Sequence, residues 1–166
     1  MTGPTFCLLP HRSVIAVSGA DRVEFLQGLI SNDTTKVAPG QAIWAALLTP
    51  QGRFLNDMFV ADSGNDTLVL ETERDRAAAL AKKLSLYKLR SKVAVEDRGA
   101  ALEVAVAFGE GAVKALELDG AVSFVDPRLD VLGVRVIATT GQARALLAAH
   151  GFAEAPFANY ESLRLS

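Results

Sequence analysis

Short apolar runs bounded by turn residues recur along the whole chain and alternate with brief helical patterns. Each run is four to eight residues long, which suits a strand better than a helix. Strands are therefore predicted over 13–17, 42–49, 54–60, 67–71, 92–96, 101–108, 122–125 and 134–138. Helical spacing predicts helices over 20–30, 110–116 and 142–150. A longer helix is predicted to begin at Thr72, which resembles a capping box together with Asp75.

This order of elements predicts an α+β fold with mixed or antiparallel sheets and short helices. We expect two lobes, a first α+β lobe over residues 1–98 and a second, smaller one over residues 99–166. A further amphipathic pattern begins at Tyr160 and stops with the chain. The C-terminus is therefore interpreted as a truncation point.

Composition limits the classes of function open to such a chain. Half of the residues are hydrophobic and 22% are charged, which is typical of a chain that buries a core and excludes a disordered linker. A formal net charge of −2 argues against a strongly basic nucleic-acid binder. The single cysteine, Cys7, cannot form an internal disulfide and is expected near a mobile terminus. The two histidines, His11 and His150, are too few for a zinc site of their own.

Hydropathy argues against a membrane protein. The longest uncharged run, residues 37–52, has 16 residues, whereas a membrane span needs about 20 predominantly apolar ones. The first ten residues lack the basic segment of an export signal. We therefore predict a cytoplasmic protein with neither a nucleic-acid nor a membrane partner.

The densest polar insertion in an apolar stretch is the loop and strand over residues 48–57. Asp57 lies among apolar residues of the predicted strand, where a carboxylate must find hydrogen-bond donors, a ligand or the solvent face. If the hairpin pairs through its Pro-Gln-Gly loop, Trp44 comes near Asp57 on a shared face. A flat aromatic ring beside a carboxylate suits a pterin or purine ring. The alternatives are a solvent-facing Asp57 and a Trp44 buried in the core.

Basic residues cluster near the end of the longest predicted helix, at Lys82, Lys83, Lys88, Arg90, Lys92 and Arg98. This cluster is consistent with a polyanion site, but such clusters are more often a solvated helix end whose cations complement the helix dipole. Asn32 and Asp33 have a similar alternative as the stop of the first helix. The sequence contains no P-loop, Rossmann glycine pattern or nucleophile elbow.

Four stretches together resemble the folate-binding proteins of the YgfZ/Iba57 type, relatives of the glycine-cleavage T-protein. The resemblance runs from about Ser13 to Arg135 and more loosely to Tyr160. The four stretches are Gly19-Ala20-Asp21 with residues 25–28 and Ser31-Asn32-Asp33; residues 48–57; residues 87–93; and Asp126-Pro127-Arg128 with residues 132–135.

The resemblance implies two ferredoxin-like lobes that bind tetrahydrofolate and a role in the assembly or repair of iron–sulfur clusters. It implies as partners the folate itself and iron–sulfur client or assembly proteins. Asp57 matches the acid that contacts the pterin, and Trp44 matches an aromatic residue of the folate cavity. Glu71, with Thr72, falls where a third strand delivers polar groups to the ring, and Asn32 belongs to the first matching stretch. No metal ligand and no catalytic residue is expected.

Departures from the family pattern define the alternatives. The acidic segment that helps T-proteins to hold folate is replaced by residues 126–133, which disfavours aminomethyl transfer. The cysteine signature of Iba57-type proteins lies beyond the last residue, and Cys7 is not its equivalent. We therefore predict a folate-binding accessory module rather than a self-contained enzyme, with the basic stretch as a candidate site for the glutamate tail. The alternatives are a tetrahydrofolate-dependent one-carbon transferase and an interaction domain that has lost folate binding.

Overall fold

Two five-stranded sheets make up most of the protein. The structure is a computed structural model, and it describes residues 3–49, 51–112 and 116–165. The strands are β1 (Thr5–Leu8), β2 (Arg12–Ser18), β3 (Ile43–Leu48), β4 (Phe54–Gly64), β5 (Thr67–Glu73), β6 (Ala94–Asp97), β7 (Leu102–Phe108), β8 (Val122–Val125), β9 (Val134–Thr139) and β10 (Ala153–Glu154). The α-helices are α1 (Arg22–Gln27), α2 (Arg74–Tyr87), α3 (Ala143–Ala149) and α4 (Phe157–Leu165).

The first sheet has the strand order β3-β4-β5-β2-β6, and all of its pairings are antiparallel. Strand β2, which lies between β5 and β6, is apolar on both faces. Ile15 and Val17 face the core that helices α1 and α2 cover, whereas Val14 faces the second sheet. Helix α2 contributes Ala77 and Leu80 to the same core. Burial on both faces explains why this strand is a continuous apolar run in the sequence.

The second sheet has the order β10-β1-β7-β9-β8. Strands β1 and β10 are parallel, and the other pairs are antiparallel. Helix α3 packs Ala143 and Leu147 against the outer face of this sheet. The expectation of an α+β fold with mixed or antiparallel sheets is thus confirmed.

A shared apolar layer joins the two sheets. Phe59 and Val69 from the first sheet pack with Val106 and Phe124 from the second, and the rings of Phe59 and Phe124 lie 5.7 Å apart. The layers therefore run helix, sheet, sheet, helix. Alternation along a strand decides which layer each side chain enters.

Strand β1 pairs with β7 in the second sheet, although it precedes the first sheet in the sequence. The division into lobes over residues 1–98 and 99–166 stays a prediction. Cys7 was expected near a mobile terminus, but it is buried in β1 between the sheets. Burial raises the pKa of its thiol to about 11.

The capping box predicted at Thr72 is also wrong. Thr72 lies within β5, and its hydroxyl donates to the carbonyl oxygen of Asp57 at 2.8 Å. Helix α2 begins at Arg74 after Glu73, whose side chain makes no capping hydrogen bond. The sheet extends two residues beyond the predicted strand end, because Thr72 and Glu73 still pair with β2.

One predicted helix is shorter in the structure, and another falls partly outside the described residues. The helix predicted over 20–30 is shorter, Arg22–Gln27. Of the helix predicted over 110–116, residues 113–115 lie outside the described residues, and the flanking residues 110–112 and Leu116 are not helical. Within the described parts of the chain, no helix is long and apolar enough to cross a membrane.

Candidate functional site

A cleft of about 850 Å³ opens where the layer between the two sheets reaches the surface. Its walls come from β3, β4, the loop before β2, the start of α2, the second sheet and α4. Residues on its lining include Trp44, Asp57, Arg128 and Tyr160. The cleft therefore draws on both sheets.

Trp44 and Asp57 share one wall of this cleft. Trp44 pairs with Phe59 and Ala46 pairs with Asp57 in the β3–β4 ladder, so Trp44 and Asp57 are diagonal neighbours on the same face. The Trp44 side chain is 40% exposed rather than buried in the core. The partly buried Asp57 carboxylate forms no ion pair or hydrogen bond to any residue that the structure describes. An open aromatic face thus stands beside an unused acceptor.

Glu71 is fully buried beneath the cleft and forms ion pairs with Arg12 and Arg135, which line it. Arg135 donates from Nε to Oε1 and from Nη2 to Oε2 of Glu71, each at 2.9 Å. Arg12 donates from Nε to Oε2 of the same carboxylate and from Nη2 to the Glu71 carbonyl oxygen at 3.3 Å. One buried carboxylate therefore binds two guanidinium groups, from β2 and from β9. Because β9 belongs to the second sheet, this cluster also ties the two sheets together.

The cluster shifts the pKa values of its members in opposite directions. Burial alone raises the pKa of Glu71, but the charges of Arg135 and Arg12 outweigh it and hold that pKa below its ordinary value. Burial lowers the pKa of Arg135, but the Glu71 carboxylate more than offsets this and raises it. Both groups are therefore charged at neutral pH.

A second arginine–carboxylate pair lies next to this cluster. Arg128 donates from Nη2 to Oδ2 of Asp126 at 2.7 Å and from Nε to Oδ1 at 3.1 Å. The guanidinium carbons of Arg128 and Arg135 each lie 4.8 Å from the centre of the Phe59 ring. The ring of Phe59 thus packs with two cations, which orients them toward the cleft.

Helix α4 and the loop before β2 complete the walls. Tyr160 accepts a hydrogen bond from Nη1 of Arg135 at 3.1 Å, and burial raises the pKa of its phenol. The ring of His11 contacts Phe157 edge-on at 5.3 Å. Arg74 fixes the loop by donating from Nε to the carbonyl oxygen of Pro10 at 2.8 Å.

Two predicted site residues lie outside the cleft lining. Glu71, expected to meet the ligand, is buried beneath it instead, because two arginines occupy its carboxylate. Asn32 donates from its side-chain amide to the carbonyl oxygen of Trp44 at 3.0 Å, so it supports the strand that carries Trp44. The basic stretch near the end of α2 does not line the cleft either. The described residues contain no group of three or more His, Cys, Asp or Glu side chains placed to hold a metal ion.

A family model described as the GCVT N-terminal domain matches residues 9–153. The chain belongs to this family. The match covers β2 to β9, which are the whole first sheet and three strands of the second, and it leaves out β1 and α4. It agrees with the family to which the sequence motifs pointed.

The proteins that this chain resembles in sequence are much longer than the chain itself. A protein of Mycosarcoma maydis named "Iron-sulfur cluster assembly factor IBA57 homolog, mitochondrial" is 30% identical over 146 residues, which are 81% of this chain and 36% of that protein. A protein of the same name from Phaeosphaeria nodorum is 32% identical over 131 residues, 72% of this chain and 32% of that protein. The chain thus spans about a third of each.

Solved structures share the fold. A crystal structure of glycine cleavage system aminomethyltransferase T from Bartonella henselae matches 98% of this chain and 50% of its own, with a TM-score of 0.77 and 19% identity. A heterotetrameric sarcosine oxidase from Corynebacterium matches 89% of this chain with a TM-score of 0.53 and 15% identity. At these identities the likeness concerns the fold alone.

Sequence reasoning on single residues missed the arginines and Tyr160 of this GCVT N-terminal domain. Arg135 did carry a signal, because it interrupts an otherwise apolar strand, as Glu71 does in β5. Two opposite charges in two buried strands indicate a pair. Glu71 and Arg135 are 64 residues apart in the sequence, so the sequence alone does not show that these two charges form a pair.

Proposed function

We propose that this chain binds a tetrahydrofolate in the cleft and, as part of the protein to which it belongs, serves the assembly or repair of iron–sulfur clusters in other proteins. The observation that carries the ligand proposal is the open ring of Trp44 beside the unpaired carboxylate of Asp57. A pterin ring is flat and carries several N–H donors along one edge. Trp44 would stack on such a ring and Asp57 would accept its N–H groups.

The remaining site residues take supporting roles in this proposal. Glu71 holds Arg12 and Arg135, which line the cleft, and Asn32 holds the backbone of Trp44. Arg128, which lines the cleft, is a candidate to meet a carboxylate of the ligand. When bound, a tetrahydrofolate supplies a carrier of one-carbon units.

The iron–sulfur part of the proposal is supported by the two fungal relatives, whose names state that role for those proteins. The proposed partners are iron–sulfur client or assembly proteins. The cytoplasmic location expected from the sequence stays a prediction, and the relatives are named as mitochondrial proteins.

The first test is a calorimetric titration of the purified chain with tetrahydrofolate and with its formyl and methylene forms. We expect binding by the wild type, and a loss of about 1–3 kcal/mol of binding free energy in Asp57→Ala, because buried hydrogen bonds to a carboxylate disappear. Glu96→Ala, which removes an exposed carboxylate of β6 remote from the cleft, is the matched control and should bind like the wild type.

The outcomes separate the alternatives. Equal affinity in wild type and Asp57→Ala would reject the assignment of Asp57. No binding of any folate by the folded chain would reject the ligand for this chain and favour an interaction domain. Formation of methylene-tetrahydrofolate from an aminomethyl-loaded lipoyl carrier would support the one-carbon transferase instead.

The iron–sulfur role is tested in cells that lack the full-length protein. We expect a deficit in the activity of a [4Fe–4S] enzyme that wild type restores and Asp57→Ala restores only in part. An undiminished [4Fe–4S] activity in those cells would overturn the role.

A further inference from the structure

The end of helix α2 and the turn after it, residues 82–92, form an exposed basic and apolar surface that we call the α2 tip. Eleven residues carry a charge of +5 with no acidic residue, in a chain whose formal net charge is −2. Three large apolar side chains are exposed among these charges. They are Leu86 at 66%, Tyr87 at 37% and Leu89 at 86% exposure.

Apart from the buried Leu84, the α2 tip serves neither the core nor the cleft. The buried face of α2 consists of Ala77, Leu80 and Leu84, which lie elsewhere around the helix from Leu86 and Tyr87. No residue of the tip lines the cleft. None of its five cations forms an ion pair with any residue in the described parts of the chain. The folded domain therefore gives these side chains no partner of its own.

The backbone of the α2 tip is strained at Leu89 and is fixed by hydrogen bonds on either side of the turn. Leu89 adopts a φ of 42°, in the left-handed region that a branched apolar residue rarely enters. Ser91 donates its N–H to the carbonyl oxygen of Lys88 at 2.7 Å, and Lys92 donates its N–H to Oδ2 of Asp21 at 2.8 Å. A strained backbone thus presents an exposed leucine on a fixed turn. Strain of this kind is concentrated at functional sites.

We propose that the α2 tip docks an acidic segment of a partner protein, with at least one apolar side chain of that segment packing on Leu86, Tyr87 and Leu89. The charges of the tip and of such a segment are complementary, and complementary charges speed association and select the partner. The exposed apolar side chains add the contact area that charge alone lacks. The proposal does not depend on which ligand occupies the cleft.

Two other classes of macromolecule fit this surface less well. A membrane-surface helix lays its apolar face on the lipid, but the apolar face of α2 is already used by the core. A single-stranded nucleic acid is held by several aromatic rings on which bases stack, and the tip offers one, Tyr87. A protein segment fits better, because the turn is already formed and less conformational entropy is lost when the segment binds.

The test is an NMR titration of the ¹⁵N-labelled chain with a 15-residue peptide that alternates Glu and Asp with Leu and Phe. A second peptide, with every Leu and Phe replaced by Ser, measures the effect of charge alone. We expect saturable shifts confined to residues 82–92 and a Kd at least ten times lower for the first peptide. Anionic phosphatidylserine vesicles and polyuridylate are titrated in parallel.

Leu89→Gly is the decisive variant, because glycine accepts the left-handed backbone without strain while it removes the apolar side chain. We expect at least fivefold weaker peptide binding with an unchanged or higher Tm. The double variant Lys88→Glu/Arg90→Glu should abolish binding, and Lys36→Glu, an exposed cation on a different turn, should leave it unchanged. If Leu89→Gly lowers the Tm, Leu86→Ser replaces it with the same expected loss.

Several results would overturn the proposal. Equal affinity for both peptides, or binding that Leu89→Gly and Leu86→Ser do not weaken, would reduce the surface to a charged patch. Tighter binding to the vesicles or to polyuridylate would assign it to a lipid surface or to RNA. The absence of shifts at residues 82–92 with every probe would remove the docking role.

Discussion

Asp57 and Glu71 lie on neighbouring strands with their side chains on the same face of the first sheet. Two arginines, one from each sheet, surround Glu71, whereas Asp57 lies at the mouth of the cleft beside Trp44. The same chemical group is therefore a structural counter-ion at one position and an open acceptor at the other. The position of the arginines decides between these two roles.

Glu71→Gln should destabilise the fold by about 3–5 kcal/mol, because it leaves the guanidinium groups of Arg12 and Arg135 without a counter-charge at the wall of the cleft. The free energy of unfolding in urea measures this loss. Glu73→Gln is the matched control, because the carboxylate of Glu73 is exposed and its 3.5 Å pair with Arg76 is a surface contact. We expect it to change stability by less than about 1 kcal/mol.

The Glu71 pKa also predicts how stability depends on pH. Its folded pKa lies below the ordinary value of 4.5, so the unfolded chain binds the proton more readily. The stability that this group contributes is present above about pH 4.5 and is lost as the pH falls through the folded pKa. Glu71→Gln should therefore lose less stability than the wild type does between about pH 5 and about pH 3. Urea titrations at each pH measure the free energy of unfolding. An equal loss in both proteins would contradict this origin of the acid sensitivity.

At the scale of elements, strand pairing overrides local signals. Thr72 has the sequence context of a helix cap, yet pairing with β2 keeps it in strand β5 and turns its hydroxyl to Asp57. A capping hydrogen bond satisfies one backbone N–H, whereas the longer strand adds ladder hydrogen bonds and buries apolar neighbours. Periodicity predicted all five strands of the first sheet and three of the second, because it follows directly from which face is buried. It did not predict β1 and β10.

Gly133→Ala should destabilise the β7–β9 pairing. Gly133 has a φ of 95°, and a Cβ built there would clash with the carbonyl oxygen of Ala107. The clash with the backbone adds to the strain of a left-handed alanine, so we expect a loss of at least about 2 kcal/mol in the free energy of unfolding.

Gly141→Ala is the control for Gly133→Ala. Gly141 has a similar φ of 90°, but nothing lies within 4 Å of its Cβ position. Its substitution carries the backbone strain without the clash and should cost about 1 kcal/mol. Equal losses at both positions would show that strain alone matters.

At the scale of the whole molecule, the two sheets are joined in three ways. They share the apolar layer around Phe59 and Phe124, they share the Glu71–Arg135 pair, and β1 precedes the first sheet in sequence but belongs to the second. The first two links connect residues far apart in the chain, whereas β1 and β2 are separated by only three residues. The cleft lies where this joint reaches the surface.

We expect the two sheets to unfold as one cooperative unit. Trp44, the only tryptophan, reports on the first sheet by fluorescence, and far-ultraviolet circular dichroism reports on both. The two urea transitions should coincide in the wild type and shift together in Arg135→Gln, because that change weakens the joint. Separate transitions would instead indicate two lobes that are stable independently.

The sequence by itself determined the local structure and one wall of the cleft. Strand periods, turn residues and hairpin register act over a few residues, so they predicted the α+β fold and brought Trp44 next to Asp57 across a short loop. Only the tertiary structure decided the partners of Glu71, the burial of Cys7 and the position of the basic stretch away from the cleft. These depend on which distant strands meet, and packing and the compensation of buried charge select that pairing only when the whole chain is folded.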